Sequence, residues 1–165
     1  MMRCPRTGPI LLAVVFLFAC SPPGGDSADG SPGAEPDMTQ SNQAADNEQV
    51  IVDFIEAWSR LDPTELAGFF TEDGVYHNMP SQPVQGRANV EALIRGFSAT
   101  WTQTTWDILN IMSSGNVVIA ERVDRTRAGD RSVDLPVVGV FEMEAGKIKV
   151  WRDYFDLGTY TTGMN

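Results

Sequence analysis

The sequence predicts an α+β fold: a curved mixed or antiparallel sheet packed on N-terminal helices, cone-shaped, with an internal pocket. Two observations lead there. Helical periodicity comes first, and a run of β-branched, turn-punctuated segments follows it. A strongly curved sheet wrapped over helices makes a cone, and a pocket at its mouth suits small, largely apolar molecules.

The elements follow in order. Val50, Ile51, Phe54, Ile55, Trp58 and Leu61 recur at helical spacing, so 48–61 reads as an amphipathic helix. Asp62-Pro63 opens a second short helix through Phe70, with Asp62 as N-cap and Pro63 in the first helical position. Glu72-Asp73-Gly74 reads as a turn, Val75 to Met79 as a short strand stopped by Pro80, and Ser81 to Gly86 as a loop. Val90, Leu93, Ile94 and Phe97 line one side of a third helix from Arg87 to about Ser98. Thr100 to Met112 is rich in Thr, Trp and Ile and reads as a strand. Strands follow at about 117–127, 131–144 and 147–156, joined by Ser113 to Asn116, Ala128-Gly129-Asp130 and Glu144-Ala145-Gly146. A short helix closes the chain near Leu157 to Thr161.

The first 47 residues belong to a different regime. Arg3 and Arg6 precede an apolar run, Ile10 to Ala19, which is too short to span a bilayer as a stable helix and reads as a signal peptide over residues 1–19. Leu17-Phe18-Ala19-Cys20 resembles the lipobox of bacterial lipoproteins, which implies a lipidated Cys20 as the first mature residue. Ser21, rather than Asp, follows the cysteine. By the lipoprotein sorting rule this implies a cell-envelope location at the periplasmic side of the outer membrane, if the host is Gram-negative. Residues 20–47 then form the lipidated cysteine and a disordered tether, because a Pro-, Gly-, Ser-, Ala- and Asp-rich stretch cannot bury enough apolar surface to fold. The expected folded domain is 48–165.

Charge and cysteine usage exclude several classes. Without Arg3 and Arg6 the 12 basic residues fall to 10 against 22 acidic ones, so the mature side chains sum to about −12. That argues against nucleic acid and anionic lipid surfaces as partners. Cys4 leaves with the signal and Cys20 carries lipid. No thiol remains for a disulfide, a zinc site or a nucleophile.

Chemistry concentrates in three stretches. In Ala120-Glu121-Arg122-Val123-Asp124 the two-residue period puts Arg122 and Asp124 on one strand face. In Val150-Trp151-Arg152-Asp153-Tyr154-Phe155-Asp156 the same parity groups Trp151, Asp153 and Phe155. A carboxylate between two aromatic rings is costly unless it is hydrogen-bonded, and the planar fork of Arg122 can serve both Asp124 and Asp153. Two crowded carboxylates do not both ionise easily, which sets an acid beside a base. Taken alone, however, an Arg-x-Asp strand is more often a solvated face or a surface ion pair. In Val75-Tyr76-His77-Asn78-Met79-Pro80, Tyr76 and Asn78 share a face and could hold a water molecule. The competing reading is a core tyrosine with its hydroxyl satisfied and an asparagine ending the strand. His77, the only histidine, points the other way and reads as a surface or interface residue.

Together, Tyr76-His77-Asn78-Met79-Pro80, Glu121-Arg122-Val123-Asp124 and Trp151 to Leu157 resemble the limonene-1,2-epoxide hydrolase family, within the SnoaL-like, nuclear-transport-factor-2-like cone folds. Gly86-Arg87 and Gly139-Val140-Phe141 also fit it. The resemblance implies an epoxide hydrolase that adds water to a small apolar epoxide to give a vicinal diol, in one acid/base step. It implies an Asp124–Arg122–Asp153 triad, with Asp153 as base, protonated Asp124 as acid, and a water held by Tyr76, Asn78 and Asp153. It further implies no metal, no organic cofactor and a homodimer formed through the sheet. By position within the match, Phe97, Trp101, Trp106, Leu135, Val137 and Phe155 line the substrate pocket. Trp101 and Trp106 are bulkier than an aliphatic lining. Two other readings stay open on the same fold: a cofactor-free isomerase, and a lipid-anchored, non-catalytic small-molecule binding protein.

Overall fold

The computed structural model describes residues 38–165. The expected signal segment, the lipidated Cys20 and the tether as far as residue 37 lie outside the described residues. Four α-helices and six strands run in the order α1 (Met38–Ala57), α2 (Pro63–Ala67), β1 (Phe70–Asn78), β2 (Val84–Gln85), α3 (Arg87–Ser98), β3 (Gln103–Ser114), β4 (Val117–Ala128), β5 (Arg131–Glu144), β6 (Lys147–Phe155) and α4 (Leu157–Met164).

Helix α1 starts ten residues before the expected 48, so the stretch assigned to the end of the tether is helical. Met38 to Asn47 contains neither Gly nor Pro, so nothing in it breaks a helix. Asn47 is buried and donates its amide to the Gly115 carbonyl at 3.3 Å, pinning this turn to the β3–β4 hairpin. Ile51, Phe54, Ile55 and Trp58 form the buried stripe that the periodicity predicts. A 3₁₀ turn, Trp58–Arg60, ends this helical segment, with Leu61 in the left-handed region at φ 52°. Asp62 caps α2 by accepting from the Thr64 and Glu65 N–H groups at 2.9 and 3.3 Å. The helix stops at Ala67 rather than Phe70, because Phe70 enters β1 and is fully buried there.

Two further expectations are corrected. Glu72-Asp73-Gly74 is a bulged part of β1, across which the register with β6 shifts between Phe70 and Val75. Gly74 makes the bulge possible: a Cβ there would lie 3.1 Å from both the Phe70 ring and the Ile148 carbonyl. The Ser81 to Gly86 loop contains β2, a two-residue strand antiparallel to β1.

The mixed sheet has the order β2-β1-β6-β5-β4-β3, with β1 parallel to β6 and every other neighbouring pair antiparallel. The parallel pairing matters most for the site. It sets Tyr76 opposite Trp151 and Asn78 opposite Asp153. Helices α1 and α3 and the 3₁₀ turn after α1 pack Phe54, Val90, Ile94 and Trp58 into one core with Val118, Ala120, Phe141 and Trp151 from the sheet. That core is unusually aromatic. Trp151 stacks on Tyr76 at 4.0 Å and on Phe141 at 5.6 Å, while Phe54 meets it edge-on at 5.0 Å.

Candidate active site

Strand parity and sheet order together build the site. Arg122 and Asp124 face inward from β4, Trp151 and Asp153 from β6, and Tyr76 from β1, each flanked by buried apolar neighbours. Arg122 has no exposed surface, and Asp124 and Asp153 are 7% and 3% exposed. A charged triad so deep stands only if each charge is paired. Here Arg122 Nε donates to Asp124 Oδ1 at 2.8 Å, and Nη2 donates to Asp124 Oδ2 at 3.2 Å and to Asp153 Oδ2 at 2.7 Å. Trp151 Nε1 donates to Asp153 Oδ1 at 2.7 Å. The guanidinium carbon lies 4.6 Å from the Trp106 ring centre and 5.7 Å from that of Trp151, close enough for cation–π attraction.

The space for this arrangement comes from a missing side chain. Gly139 on β5 pairs with Ala120 on one side and Asp153 on the other. A Cβ at Gly139 would lie 2.5 Å from Arg122 Nη1 and 2.8 Å from the Phe141 ring. Arg122 Nη1, pressed against this gap, has no hydrogen-bond partner among the described residues.

Burial pushes the Asp124 carboxyl up to about 7; the Arg122 charge pulls it down, and the neighbouring Asp153 pushes it up again. Burial also raises Asp153, against the pull of Arg122 and of the Trp151 N–H. Burial disfavours the Arg122 cation, but the two carboxylates outweigh that and hold its pKa above the ordinary value. Tyr76 is held protonated by burial and by Asp153. The site therefore holds a fixed cation between two carboxyls whose burial favours their protonated forms.

Tyr76 Oη donates to Asn78 Oδ1 at 2.7 Å. That leaves the phenol oxygen as an acceptor and the Asn78 amide nitrogen as a donor, beside Asp153. His77 lies on the opposite side of the strand, its Nε2 3.0 Å from the Ser81 carbonyl oxygen.

These groups open onto a cavity of about 260 Å³. Its wall includes Asp124, Asp153, Tyr76 and Asn78 together with all six of the expected apolar residues: Phe97, Trp101, Trp106, Leu135, Val137 and Phe155. Arg122 lies behind the wall, between the two carboxyls. Sequence reasoning did not reach Leu93 on α3 or Tyr160 on α4, which also line the cavity. Leu93 could have been found from the α3 stripe, whereas no local pattern marks Tyr160. Trp151 was grouped with Asp153 by parity, but its indole hydrogen bond was not foreseen. Trp106 is clamped by its own bonds: it stacks on Trp58 at 4.2 Å and donates Nε1 to Thr104 Oγ1 at 3.0 Å.

The model of the limonene-1,2-epoxide hydrolase catalytic domain matches residues 45–164. Epoxide hydrolase EphG of Mycobacterium tuberculosis is 30% identical over 117 residues, which is 67% of this chain and 74% of that protein. Among solved structures, an M. tuberculosis LEH-like epoxide hydrolase superposes with a TM-score of 0.65 at 27% identity, covering 73% of this chain and 90% of its own. A putative SnoaL-like polyketide cyclase from Shewanella putrefaciens shares the fold at a TM-score of 0.63 and 14% identity, over 72% of this chain and 95% of its own. With a family match spanning most of the described residues, the chain belongs to the limonene-1,2-epoxide hydrolase family.

Proposed function

We propose that the protein hydrolyses a small apolar epoxide to a vicinal diol by concerted acid/base catalysis. One observation carries the reading. Two buried carboxyls, bridged by one arginine, face a largely apolar cavity, and burial raises the pKa of both.

The attacking water donates one hydrogen to Tyr76 Oη and the other to the Asp153 carboxylate, and accepts from the Asn78 amide. One lone pair is then left to meet an epoxide carbon. As the new C–O bond forms, Asp153 takes the water proton and the strained C–O bond breaks. Asp124 delivers its proton to the departing epoxide oxygen, so no free alkoxide forms. In this reading Asp124 Oδ2, held by the longer of the two Arg122 hydrogen bonds, carries the proton. Atoms balance as water plus epoxide to diol. The two carboxyls finish with their protonation exchanged, and proton transfer through solvent restores them. Arg122 keeps its charge throughout and holds both carboxyls in one geometry. The aromatic wall of Phe97, Trp101 and Trp106 favours substrates with a flat apolar body.

Asp153→Asn tests the reading. It removes the base while keeping the shape of the side chain. Hydrolysis is expected to fall by about 10²- to 10⁴-fold, the usual worth of a positioned base. Binding of apolar ligands, followed by tryptophan fluorescence, is expected to stay within a few-fold. A fully active variant contradicts the assignment. A folded wild type that binds apolar ligands but turns over no epoxide favours the binding-protein reading.

A further inference from the structure

The triad is chemically near-symmetric: two aspartates on one guanidinium. Nothing in that pair alone says which carboxyl keeps the proton. The surroundings are not symmetric. Asp153 accepts at both oxygens from different donors, Arg122 Nη2 on Oδ2 and Trp151 Nε1 on Oδ1. Asp124 also accepts at both oxygens, but from Arg122 alone, and one of its two bonds is stretched to 3.2 Å against 2.7 Å for each bond on Asp153. An N–H donor stabilises a carboxylate and cannot bond as well to a protonated carboxyl oxygen, so each added donor favours ionisation.

We infer that Trp151 is the positioning residue that breaks this symmetry: its indole N–H makes Asp153 the ionised partner and so leaves the proton on Asp124. The inference rests on the reaction proposed above for its catalytic meaning, but the titration it describes does not depend on that reaction.

Trp151 is built to hold this bond. Its ring lies between Tyr76 and Phe141, nearly parallel to both at 8° and 14°, and Phe54 closes one edge. Fully buried, the indole cannot turn its N–H away without breaking both stacks. The stack on Tyr76 also fixes the phenol whose oxygen faces the water. One side chain therefore orders two of the three groups that would hold the nucleophile. The groups facing this pair are few. Arg122 and Asp124 come from β4 and Tyr76 from β1, while Gly139 and Phe141 on β5 and Phe54 on α1 bring no charge. The pulls on the two carboxyls agree with the geometry: against burial, Asp153 has both Arg122 and Trp151, and Asp124 has Arg122 only.

The test is Trp151→Phe in the full chain, which keeps an aromatic ring in the stack and removes the N–H. With the aspartates carrying a ¹³C label at Cγ, the titration of Asp153 is read by NMR without any substrate. Its midpoint is expected to move up by about one to two pH units, the worth of one hydrogen bond to an ionised group. The acid limb of kcat/KM moves with it. An unchanged Asp153 midpoint overturns the inference, because a tryptophan that only fills the core would alter stability and not the order of titration. If the variant does not fold, the wild type still decides. Of its four indole N–H resonances, one is expected to shift in step with Asp153, and four indoles insensitive across the whole titration of the Asp153 Cγ signal overturn the inference. A wild type that titrates as described but opens no epoxide faults the proposed reaction and leaves the role of Trp151 standing.

Discussion

Asp124 has a consequence for stability that needs no substrate to observe. Its carboxyl is raised from the ordinary 3.8 to about 7, first by burial. Between those values the folded protein holds a proton that the unfolded chain releases. The stability this group contributes is therefore complete below about pH 4 and lost as pH rises through about 7. The urea midpoint is expected to fall from pH 5 to pH 8 in the wild type, and to fall by less in Asp124→Asn, which carries no titrating group there. An equal fall in both proteins contradicts the assignment. In the reaction proposed above, the same residue would set the alkaline limb of activity, since a deprotonated Asp124 has no proton to give. At this scale the sequence was informative about which residues, and less so about how they bond. Parity alone placed Arg122 with Asp124 and Asp153 with Trp151. The sharing of one guanidinium nitrogen between two carboxyls, and the indole bond to Asp153, depend on rotamers and on neighbours distant along the chain.

At the level of the element, the strands do the positioning. Asp153 on β6 lies between β1 and β5, opposite Asn78 on one side and Gly139 on the other. Gly139 shows why a strand interior carries a glycine here: Arg122 Nη1 and the Phe141 ring occupy the space a side chain would take. Gly139→Ala is expected to destabilise the fold by about 1–3 kcal/mol, as overpacking a filled core does. It should also lower activity by pushing the guanidinium off one carboxyl. Equilibrium unfolding in urea checks the first expectation, and a neutral change counts against this packing. The long hairpin strands were legible from their turns: β5 runs from Arg131 to Glu144 as the residues indicated. Less legible were elements fixed by tertiary partners. The bulge in β1 and the two-residue β2 gain their pairing from the sheet, not from local propensity. The early start of α1 was hidden by a polar composition that also suits a tether. Likewise, the parallel β1–β6 pairing that brings Asn78 to Asp153 has no local signature; only the family resemblance anticipated that grouping.

For the whole molecule, the outer side of the sheet is as suggestive as the inner one. Met112, Ile119 and Val140 follow one another across β3, β4 and β5, and Val138 pairs with Tyr154 across β5 and β6. Met112, Val138 and Tyr154 are exposed, an apolar patch with Glu121, Glu142 and Arg152 nearby. A face of this kind is more typical of an interface than of a solvated surface. We propose that two copies pair through it, and light scattering at micromolar concentration is expected to give the mass of a dimer. A monomeric mass contradicts that pairing.

The central claim is that water, activated by Asp153, attacks the epoxide directly. It is tested most directly by a single turnover in ¹⁸O-water, with enzyme in excess over an aryl or cyclic epoxide. A diol that carries one ¹⁸O from the first turnover is expected, because the new oxygen comes from solvent. Either a first-turnover diol whose added oxygen is ¹⁶O from a carboxylate, or no diol from any epoxide offered, would contradict it.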